Sequence, residues 1–447
     1  MQGDEETHSP VVSWSSVRMF LVLALTLGWY TCTIDFSNAF VQAQLEKPVW
    51  IHLPRGFLSS RLGKTVLKLK KSLYGLTFAS RLWHEHLLKA LHSLGFKAST
   101  TDPCLLFRSD MILIVYVDDL GIATPDKAAT DKLVQSLLDK GFELTREGSF
   151  SEFLGIKLEC NAQTKALTLT QSGLIKRIME ATDLVDCNHN WTPASPLTLG
   201  SDPDGEPMDE VWNYRSVVGM LLYLSTNTRP DISFAVSQVA RFSHVPKKSH
   251  ATAVKMIVRY LARTVDKGTI IHPTGKLDLA CYVDADFGGL FKREPDTDTN
   301  SVRSRTGYII SLGGAPLTWK SQLQTEVCLS TLESEYVALS SALRVLLPLK
   351  RLLQELVTIL HIPEEISTSI SCVCFEDNSG ALLLATTYRL TSRTRYISSK
   401  VHWFWIHHKN GEFVVRPIGT LDQRADYLTK GLPREPFERN RLGNQGW

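Results

Sequence analysis

Two adjacent carboxylates follow a strongly apolar stretch of the sequence. Asp118 and Asp119 come directly after residues 111–117, a run of apolar and β-branched side chains that is typical of a buried strand. The two anions repel each other, and each loses hydration beside the strand. A divalent metal ion compensates both costs most simply. The sequence therefore predicts a metal site at the end of this strand.

A third carboxylate has a similar setting. Asp35 ends a short β-branched stretch within residues 32–40, CTIDFSNAF. Carboxylates at two strand ends can hold the Mg²⁺ ions with which a polymerase activates a 3′-hydroxyl and stabilises the leaving pyrophosphate. The residues alone leave two other interpretations open. Asp35 could cap the turn or helix that follows it, and Asp118 with Asp119 could simply form a hairpin turn.

Further carboxylates in the C-terminal part lie on a predicted strand and on a predicted helix. Asp284 ends a predicted strand within residues 279–289, and strand alternation places Asp286 on the same face. Glu335 lies on the apolar stripe of a predicted helix over residues 330–347. A glutamate on a buried stripe needs a partner, and a metal ion fits that need.

Two more carboxylates complete this second set. Asp377 falls between a predicted strand and a predicted helix within residues 372–385, and Asp426 lies in a predicted final helix over residues 422–432. Four carboxylates on separate elements are typical of a two-metal nuclease that hydrolyses the RNA strand of an RNA/DNA hybrid. Taken singly, Asp377 could be a helix N-cap and Asp426 an exposed helix residue.

Length and composition bound the class of protein. The chain has 447 residues, 43% hydrophobic and 21% charged, which is typical of a globular protein of two or three domains. Its net charge is only +3, so a nucleic-acid-binding surface would have to be a local basic patch. The apolar residues 17–30 include Arg18 and are too few to span a bilayer, so we predict a core helix there and no membrane segment.

The cysteines indicate a reducing compartment. The eight of them are scattered, mostly within apolar stretches, and no CxxC pair occurs. This pattern supports neither a zinc knuckle nor a disulfide framework. Reduced core thiols, and hence an intracellular protein, are the expectation.

Periodicity divides the chain into parts that must position these carboxylates. Residues 1–160 alternate between helical and strand-like segments, and residues 161–267 are largely helical. A Pro-, Gly- and Ser-rich segment over residues 192–207 predicts a long surface loop inside the helical part. Residues 268–434 return to mixed strands and helices, and residues 435–447 are predicted to be a loose tail. The fold class that we expect is α+β and multidomain.

The order of several motifs resembles that of copia-type LTR retrotransposon Pol polyproteins. The motifs that resemble the reverse transcriptase are TIDFSNAF (33–40), KSLYGL (71–76), YVDD (116–119), FLGIKL (153–158) and TRPDISFAV (228–236). The motifs that resemble the ribonuclease H (RNase H) domain that follows it are YVDADF (282–287), LESEYVAL (332–339), EDNSGA (376–381) and ADYLTKGL (425–432).

The resemblance implies a fold and an activity. A right-hand polymerase palm with truncated fingers would occupy residues 1–160, a helical thumb and connection residues 161–267, and an RNase H-like α/β domain residues 268–434. The chain would carry out RNA-directed DNA synthesis and hydrolyse the RNA of the hybrid. Its partners would be an RNA template, a DNA primer, the RNA/DNA hybrid and dNTPs, without a membrane. Its cofactor would be Mg²⁺, two ions per active site, with Mn²⁺ as a substitute.

The resemblance also implies site residues. The catalytic metal ligands would be Asp35, Asp118 and Asp119 in the polymerase site and Asp284, Glu335, Asp377 and Asp426 in the RNase H site. Phe40, where related enzymes place an aromatic residue beneath the incoming sugar, and Tyr74 would bind the nucleotide, although Phe40 could equally be a plain core residue. The residues predicted to contact nucleic acid are Lys68, Lys70, Lys255, Arg259 and Arg303; a solvated face is the alternative for such basic residues.

Departures from the family pattern leave other functions open. The chain begins almost at its SPVV motif (residues 9–12), without the basic fingers that hold the triphosphate, so we expect impaired polymerisation. Residues 293–300, REPDTDTN, look like an acidic insertion that would repel a phosphate backbone. No protease, zinc-knuckle or integrase segment is visible, so we expect the 3′ piece of a polyprotein. The alternatives are an RNase H alone and a remnant that only binds nucleic acid. The expected location is cytoplasmic, including a virus-like particle, with the nucleus left open.

Overall fold

The protein forms two compact units. The computed structural model describes residues 9–54, 56, 66–209, 211–272, 275–295, 297–367, 370–388, 397 and 401–447. The first unit comprises Met1–Phe150 and Gln354–Ile362, and the second comprises Ser151–Leu353 and Pro363–Trp447. Both contain helices and strands, so the mixed α and β content is confirmed, whereas the predicted arrangement and its boundaries at residues 160, 267 and 434 stay predictions.

An antiparallel sheet organises the first unit. The strands of this unit are β1 Tyr30–Phe36, β2 Trp50–His52, β3 Val66–Lys68, β4 Lys97–Ala98, β5 Leu105–Arg108, β6 Met111–Tyr116, β7 Asp119–Thr124 and β8 Leu144–Ser149. Six of them form one sheet in the order β4-β5-β6-β7-β1-β8, and β2 pairs with β3 separately. Strand β1 therefore lies in the sheet between β7 and β8, which places their side chains next to its own.

Three helices belong to the first unit, and the first of them is a core helix as predicted. They are α1 Trp14–Leu27, α2 Ala79–Ser93 and α3 Lys127–Asp139. Helix α1 begins where the Ser13 hydroxyl accepts the Ser16 N–H, and it ends at Gly28 in the left-handed conformation (φ 64°). The Arg18 side chain of this helix is buried, and the burial lowers the pKa of Arg18 to about 9. Among the described residues, no helix combines the length and apolarity that crossing a membrane requires.

Two sheets belong to the second unit. The strands of the smaller sheet are β9 Glu152–Phe153, β10 Ile156–Cys160, β11 Leu167–Thr170 and β12 Thr269–Ile271, in the order β12-β11-β10-β9. Those of the larger sheet are β13 Leu279–Asp286, β14 Arg305–Leu312, β15 Ala315–Leu323, β16 Cys372–Glu376 and β17 Val414–Pro417, in the order β15-β14-β13-β16-β17. Strands β13, β14 and β15 are antiparallel, whereas β13, β16 and β17 are parallel. The carboxyl ends of β13 and β16 therefore lie at one edge.

Helices fill the remainder of the second unit, and the end of one of them, from Gln354 on, belongs to the first unit. They are α4 Ser172–Ala181, α5 Tyr214–Asn227, α6 Ser233–Ala240, α7 Lys248–Arg263, α8 Thr331–Ile359, α9 Glu364–Ser367, α10 Ser379–Thr387, α11 Trp405–Lys409 and α12 Arg434–Gln445. Helices α4 to α7 share one hydrophobic core, which agrees with the predicted helical middle of the chain. The predicted loop over residues 192–207 contains no helix or strand beyond an isolated bridge at Pro207.

The prediction of a loose tail over residues 435–447 is wrong. Residues Arg434–Gln445 form α12, whose Phe437 side chain packs edge-to-face on Tyr260, with ring centroids 5.6 Å apart. The Gln445 amide donates to Asp231 Oδ1 at 3.1 Å. Three of its four buried residues are polar (Asn440, Asn444 and Gln445), so the helix shows little hydrophobic periodicity in its sequence.

The prediction of a final helix over residues 422–432 is also wrong. The segment contains two short 3₁₀ turns, Thr420–Asp422 and Asp426–Leu428. Gln423 between them is fully buried and donates its side-chain N–H to the Val283 carbonyl at 2.8 Å. This side-chain bond fixes the segment against β13, and the segment forms two short turns instead of the continuous helix that we expected.

The predicted acidic insertion over residues 293–300 carries less free charge than its sequence indicates. The Glu294 side chain is buried and forms an ion pair with Arg241. The Asp298 carboxylate accepts the Asn300 N–H at 2.8 Å and starts a 3₁₀ turn. Asp296 lies outside the described residues. Two of the acidic side chains therefore have local structural partners, which weakens the expected repulsion of phosphate.

A fully buried ion pair anchors α12 in the second unit. Arg229 Nη2 lies 2.8 Å from Asp231 Oδ2, and both side chains are entirely buried. The Tyr260 hydroxyl donates to the same carboxylate oxygen at 2.6 Å. Burial would raise the pKa of Asp231, but the Arg229 charge outweighs it and holds the pKa below its ordinary value. The Trp447 ring lies against the Arg229 guanidinium, 5.2 Å from its centroid.

We expect Asp231→Ala to lower the free energy of unfolding of the second unit by about 3–5 kcal/mol, because the change leaves a buried guanidinium without its counter-charge. Urea denaturation followed by tryptophan fluorescence measures this loss. The matched control is Asp266→Ala, which removes an exposed carboxylate paired with Lys267 and should cost about 0.5 kcal/mol or less. Equal effects of the two variants would contradict the assignment.

Candidate functional site

The first candidate cluster lies where β1 meets the β6–β7 hairpin. The register of β1 with β7 places Asp35 directly opposite Asp119. Asp118 occupies the turn between β6 and β7, and its carbonyl accepts the Phe36 N–H at 2.9 Å. The structure thus brings together the three carboxylates that the sequence predicts for this site.

The turn that presents Asp118 is conformationally strained. Val117 has a φ of 53°, which is a costly conformation for a β-branched residue. Its carbonyl accepts the indole N–H of Trp83 at 2.5 Å, and Trp83 is buried against Phe36 and Phe142. A rigid aromatic core therefore stabilises the strained turn. Trp83 was not among the predicted site residues, because its role depends on a contact with a backbone carbonyl.

Burial and mutual repulsion raise the pKa values in this cluster. The pKa of Asp119 rises to about 6 through burial and the charges of Asp118 and Asp35. Burial and the charges of Asp118 and Glu147 raise the pKa of Asp35. Glu147 lies on β8 opposite Thr33, whose hydroxyl donates to it at 3.1 Å. Sequence reasoning missed this fourth carboxylate because it required the pairing of β8 with β1.

The two alternative interpretations of the first cluster have different outcomes. Asp35 is not a cap, because it lies within β1 and the following 3₁₀ turn has Asn38 at its N-cap position. Asp118 does belong to a hairpin turn, as the alternative proposed, and Asp119 begins β7. The turn geometry and a metal-binding role are compatible, since strand ends expose carboxylate oxygens.

The two predicted nucleotide contacts lie side by side. The Phe40 and Tyr74 ring centroids are 4.6 Å apart. Phe40 is half-buried against the hydrophobic core of the first unit, and half of the Tyr74 surface is exposed, 50%. Phe40 is therefore a residue at the edge of the core with an accessible aromatic neighbour, and the nucleotide-binding role of both residues stays a prediction.

The second candidate cluster lies at the edge where β13 and β16 end. Asp284 is in β13, Glu335 is in the first turns of α8, and Asp377 directly follows β16. Three carboxylate oxygens, one from each of these residues, lie within 4.8 Å of one another. Over the part of the chain that the structure describes, no other such group of three is found. The predicted apolar stripe of Glu335 is buried, as its Ala338, Leu339, Ala342 and Leu346 neighbours show.

A neighbouring glutamate, which sequence reasoning missed, adds to this cluster. Glu376 is fully buried, its Oε1 accepts the Asn378 N–H at 3.0 Å, and burial together with the Asp377 charge raises its pKa to about 8. Asn378, not Asp377, caps α10 by accepting the Ala381 N–H, so the cap interpretation of Asp377 is wrong. Strand alternation from Cys374 could have indicated that Glu376 points into the core.

Asp426 lies next to this cluster and forms an ion pair with a lysine side chain. Its Oδ1 lies 2.9 Å from Lys430 Nζ, which is also 3.7 Å from Asp284 Oδ2. The Thr429 hydroxyl donates to the same Asp284 oxygen. Gly307 in β14 permits this approach, because a Cβ atom there would collide with the Thr429 side chain. Lys430 was not predicted as a site residue, although it lies only four residues after Asp426 in the sequence.

The charge balance of the second cluster fits a divalent cation. Burial, with the charges of Asp284 and Glu376, raises the pKa of Glu335 to about 10. Burial likewise raises the pKa of Asp284, while Lys430 partly opposes the rise. Glu335 Oε2 and Glu376 Oε2 are buried without a hydrogen-bond partner among the described residues. Oxygen ligands of this kind suit Mg²⁺ or Mn²⁺, and a cation would satisfy them.

The predicted nucleic-acid contacts are dispersed along the chain. Lys68 and Lys70 are exposed in the first unit, with Lys68 Nζ 5.9 Å from the centroid of the Trp50 ring. Lys255 and Arg259 are half-buried in α7, and the Arg303 guanidinium donates to Asn300 at 3.1 Å. Their role stays a prediction.

Known proteins resemble this chain over nearly its whole length. Residues 2–196 match the family model for reverse transcriptase (RNA-dependent DNA polymerase). The chain is 34% identical, over 97% of its length, to the retrovirus-related Pol polyprotein from transposon TNT 1-94 of Nicotiana tabacum, of which it covers 32%. It is 33% identical, again over 97% of its length, to that from transposon RE1 of Arabidopsis thaliana, of which it covers 28%. The chain thus spans about a third of these relatives.

The residues that match the family model contain Asp35, Asp118 and Asp119, so the first cluster lies within a reverse transcriptase domain. The predicted resemblance is confirmed: over most of its length the chain is similar to Pol polyproteins from plant copia-type transposons, and residues 2–196 match the reverse transcriptase family.

The raised pKa of Glu335 predicts a pH-dependent loss of stability in metal-free protein. The folded state keeps a proton that the unfolded state releases between the ordinary value of 4.5 and about 10, so stability falls as the pH rises through this window. We expect Glu335→Gln to flatten the decrease in melting temperature between pH 5 and pH 8, measured in EDTA. Glu180→Gln, on the exposed face of α4, is the control and should leave the slope unchanged. A wild-type slope in Glu335→Gln would contradict the account.

Proposed function

We propose that the chain is an RNA-directed DNA polymerase that also hydrolyses the RNA strand of RNA/DNA hybrids. The observation that carries the proposal is the register of Asp35 with Asp119, beside Asp118, inside the segment that matches the reverse transcriptase family. The first unit would act as the palm, and helices α4 to α7 would provide the thumb and connection. The larger sheet of the second unit, with two antiparallel and two parallel strand pairs, supports an RNase H-like domain.

The first cluster would perform nucleotide transfer. Asp35, Asp118 and Asp119 would hold Mg²⁺, which supplies positive charge to the phosphates and favours deprotonation of the primer 3′-hydroxyl. Phe40 and Tyr74 would contact the sugar of the incoming dNTP, and Trp83 keeps the Asp118 turn in place. Lys68 and Lys70 would lie along the backbone of the RNA template and DNA primer, where cations release condensed counterions.

The second cluster would hydrolyse RNA. Asp284, Glu335, Asp377 and Asp426 would hold Mg²⁺, which supplies an activated water and charge for the scissile phosphate. Glu376 adds buried negative charge next to these ligands, and Lys430 holds Asp426 near Asp284. Lys255, Arg259 and Arg303 would contact the hybrid backbone.

A second candidate function is RNase H activity without polymerisation. The specific observation in its favour is that three carboxylates converge within 4.8 Å at the second cluster, whereas the three of the first cluster do not form such a group among the described residues. A preorganised ligand set needs less rearrangement to bind a cation. The second cluster would therefore support catalysis even if the first cluster does not.

We propose an intracellular location, in the cytoplasm, a virus-like particle or the nucleus. All eight cysteines are free, and six of them are buried. Free buried thiols are typical of proteins in reducing compartments.

The proposed function is tested on one labelled substrate. Purified chain is incubated with Mg²⁺, dNTPs and a 5′-labelled DNA primer annealed to an RNA template that carries a second label. We expect the primer to be extended and the RNA to be cut in the same reaction. Asp118→Asn should reduce extension by at least about 100-fold and spare cleavage, since removal of a metal ligand abolishes one site alone.

The matched variant is Glu335→Gln, which should abolish RNA cleavage and spare primer extension. Cleavage without extension in the wild type, lost in Glu335→Gln, would support the second candidate function. The absence of both reactions, or reactions that neither variant alters, would overturn the proposal.

Lys430 offers a test of the electrostatics of the second cluster. Its charge lowers the pKa values of Asp284 and Asp426, so Lys430→Met should raise both and demand a higher pH before these ligands ionise. We expect RNA cleavage by the variant to fall about tenfold or more at pH 6 and much less at pH 8. Lys320→Met, which removes an exposed cation of β15, should leave the pH profile unchanged. A uniform loss at every pH would refute this role.

A further inference from the structure

A cavity in the second unit contains none of the carboxylates of either cluster and shares Arg259 with the proposed contacts to the hybrid. It lies between α6, α7 and the loop of residues 192–207, with Lys292 and Arg293 at one side, and its volume is about 680 Å³. Its apolar wall includes Pro193, Leu199, Phe234, Met256 and Ile257. This volume and this mixture of apolar wall with a few polar groups are typical of sites for small organic ligands.

Two donors in the cavity wall have no acceptor among the described residues. Gln238 is 4% exposed; its Oε1 accepts the Arg241 guanidinium at 3.1 Å, while its Nε2 is buried and has no hydrogen-bond partner within the described residues. Arg259 Nε is likewise buried without a partner in the described part of the chain. A buried donor that lacks an acceptor is costly, and a ligand oxygen would remove this cost.

The charges around the cavity favour an anion. Arg259, Lys292 and Arg293 contribute three cations to its lining. Asp202 is the acidic residue of the lining, and its Oδ2 already accepts the Ser249 hydroxyl at 2.6 Å. A ligand with a negatively charged group would therefore meet three cationic side chains against one carboxylate.

The wall of the cavity is fixed by contacts of its own. The His250 ring N–H donates to the Gly200 carbonyl at 2.9 Å, and the Ser201 N–H donates to Glu294 at 3.0 Å. Gly200 packs so closely on the Arg293 carbonyl that a Cβ atom would collide with it. The loop is thus anchored to α7 and to residues 293–294, and the cavity is preformed.

We propose that this cavity binds a small, flat organic anion, an aromatic or heteroaromatic ring that carries a sulfonate, carboxylate or phosphate group. The ring lies against the wall that includes Phe234 and Met256, and the anionic group faces Arg259 with Gln238 as the neutral donor. The site contains none of the cluster carboxylates, so dye binding tests it without a measurement of the proposed polymerase or RNase H activity.

The probe is 8-anilinonaphthalene-1-sulfonate, a flat anion whose fluorescence rises in apolar sites, titrated into the full chain. We expect saturable binding at one site. Arg259→Met should weaken it at least tenfold, and Ala253→Phe, which fills the cavity, should abolish it. The control is Arg263→Met, one helical turn further along α7, because Arg263 stacks on Trp191 and does not line the cavity. Far-ultraviolet circular dichroism verifies that each variant is folded.

A second ligand separates ring burial from charge recognition. N-phenyl-1-naphthylamine has the same rings without the sulfonate, and we expect it to bind at least tenfold more weakly than the anion. The proposal is overturned if the anion shows no saturable binding, if Arg263→Met weakens binding as much as Arg259→Met, or if the uncharged compound binds equally well.

Discussion

The burial of carboxylates that repel one another is the constraint on which this structure depends. In each unit, strand ends bring negative side chains together where water is partly or wholly excluded, and the pKa values rise as a result. An isolated buried carboxylate would take up a proton at neutral pH. A set of them is compatible with function when a cation replaces the lost hydration, and Mg²⁺ accepts such oxygen ligands. We infer that both sites were arranged for that charge.

The two units meet this constraint in different ways. In the first, the cluster depends on a hairpin whose strained Val117 is supported by a hydrogen bond from a buried tryptophan, so its geometry comes from the backbone. In the second, the ligands come from separate elements, and Lys430 with Thr429 supplies compensating contacts to Asp284 and Asp426. The buried Arg229–Asp231 pair and helix α12 add rigidity elsewhere in that unit.

Sequence patterns predicted the elements that carry strong hydrophobic periodicity. Helix α1, strand β6 and the buried stripe of Glu335 were expected, because apolar spacing alone specifies them. Helix α12 was missed because its buried face includes asparagine and glutamine, whose burial depends on partners distant in the sequence. The carboxylates at strand ends were found for the same local reason as the strands. Glu147 and Lys430 required strand register or a turn that periodicity does not encode, whereas strand alternation from Cys374 could have indicated Glu376.

The central claim is that each cluster holds divalent cations, and Mn²⁺ binding followed by electron paramagnetic resonance tests it most directly. The account predicts saturable Mn²⁺ binding at both clusters that Mg²⁺ displaces, with Asp119→Asn removing one class of sites and Glu335→Gln the other. Wild-type protein that binds no Mn²⁺ at millimolar concentration, or binding that both variants leave intact, would contradict it.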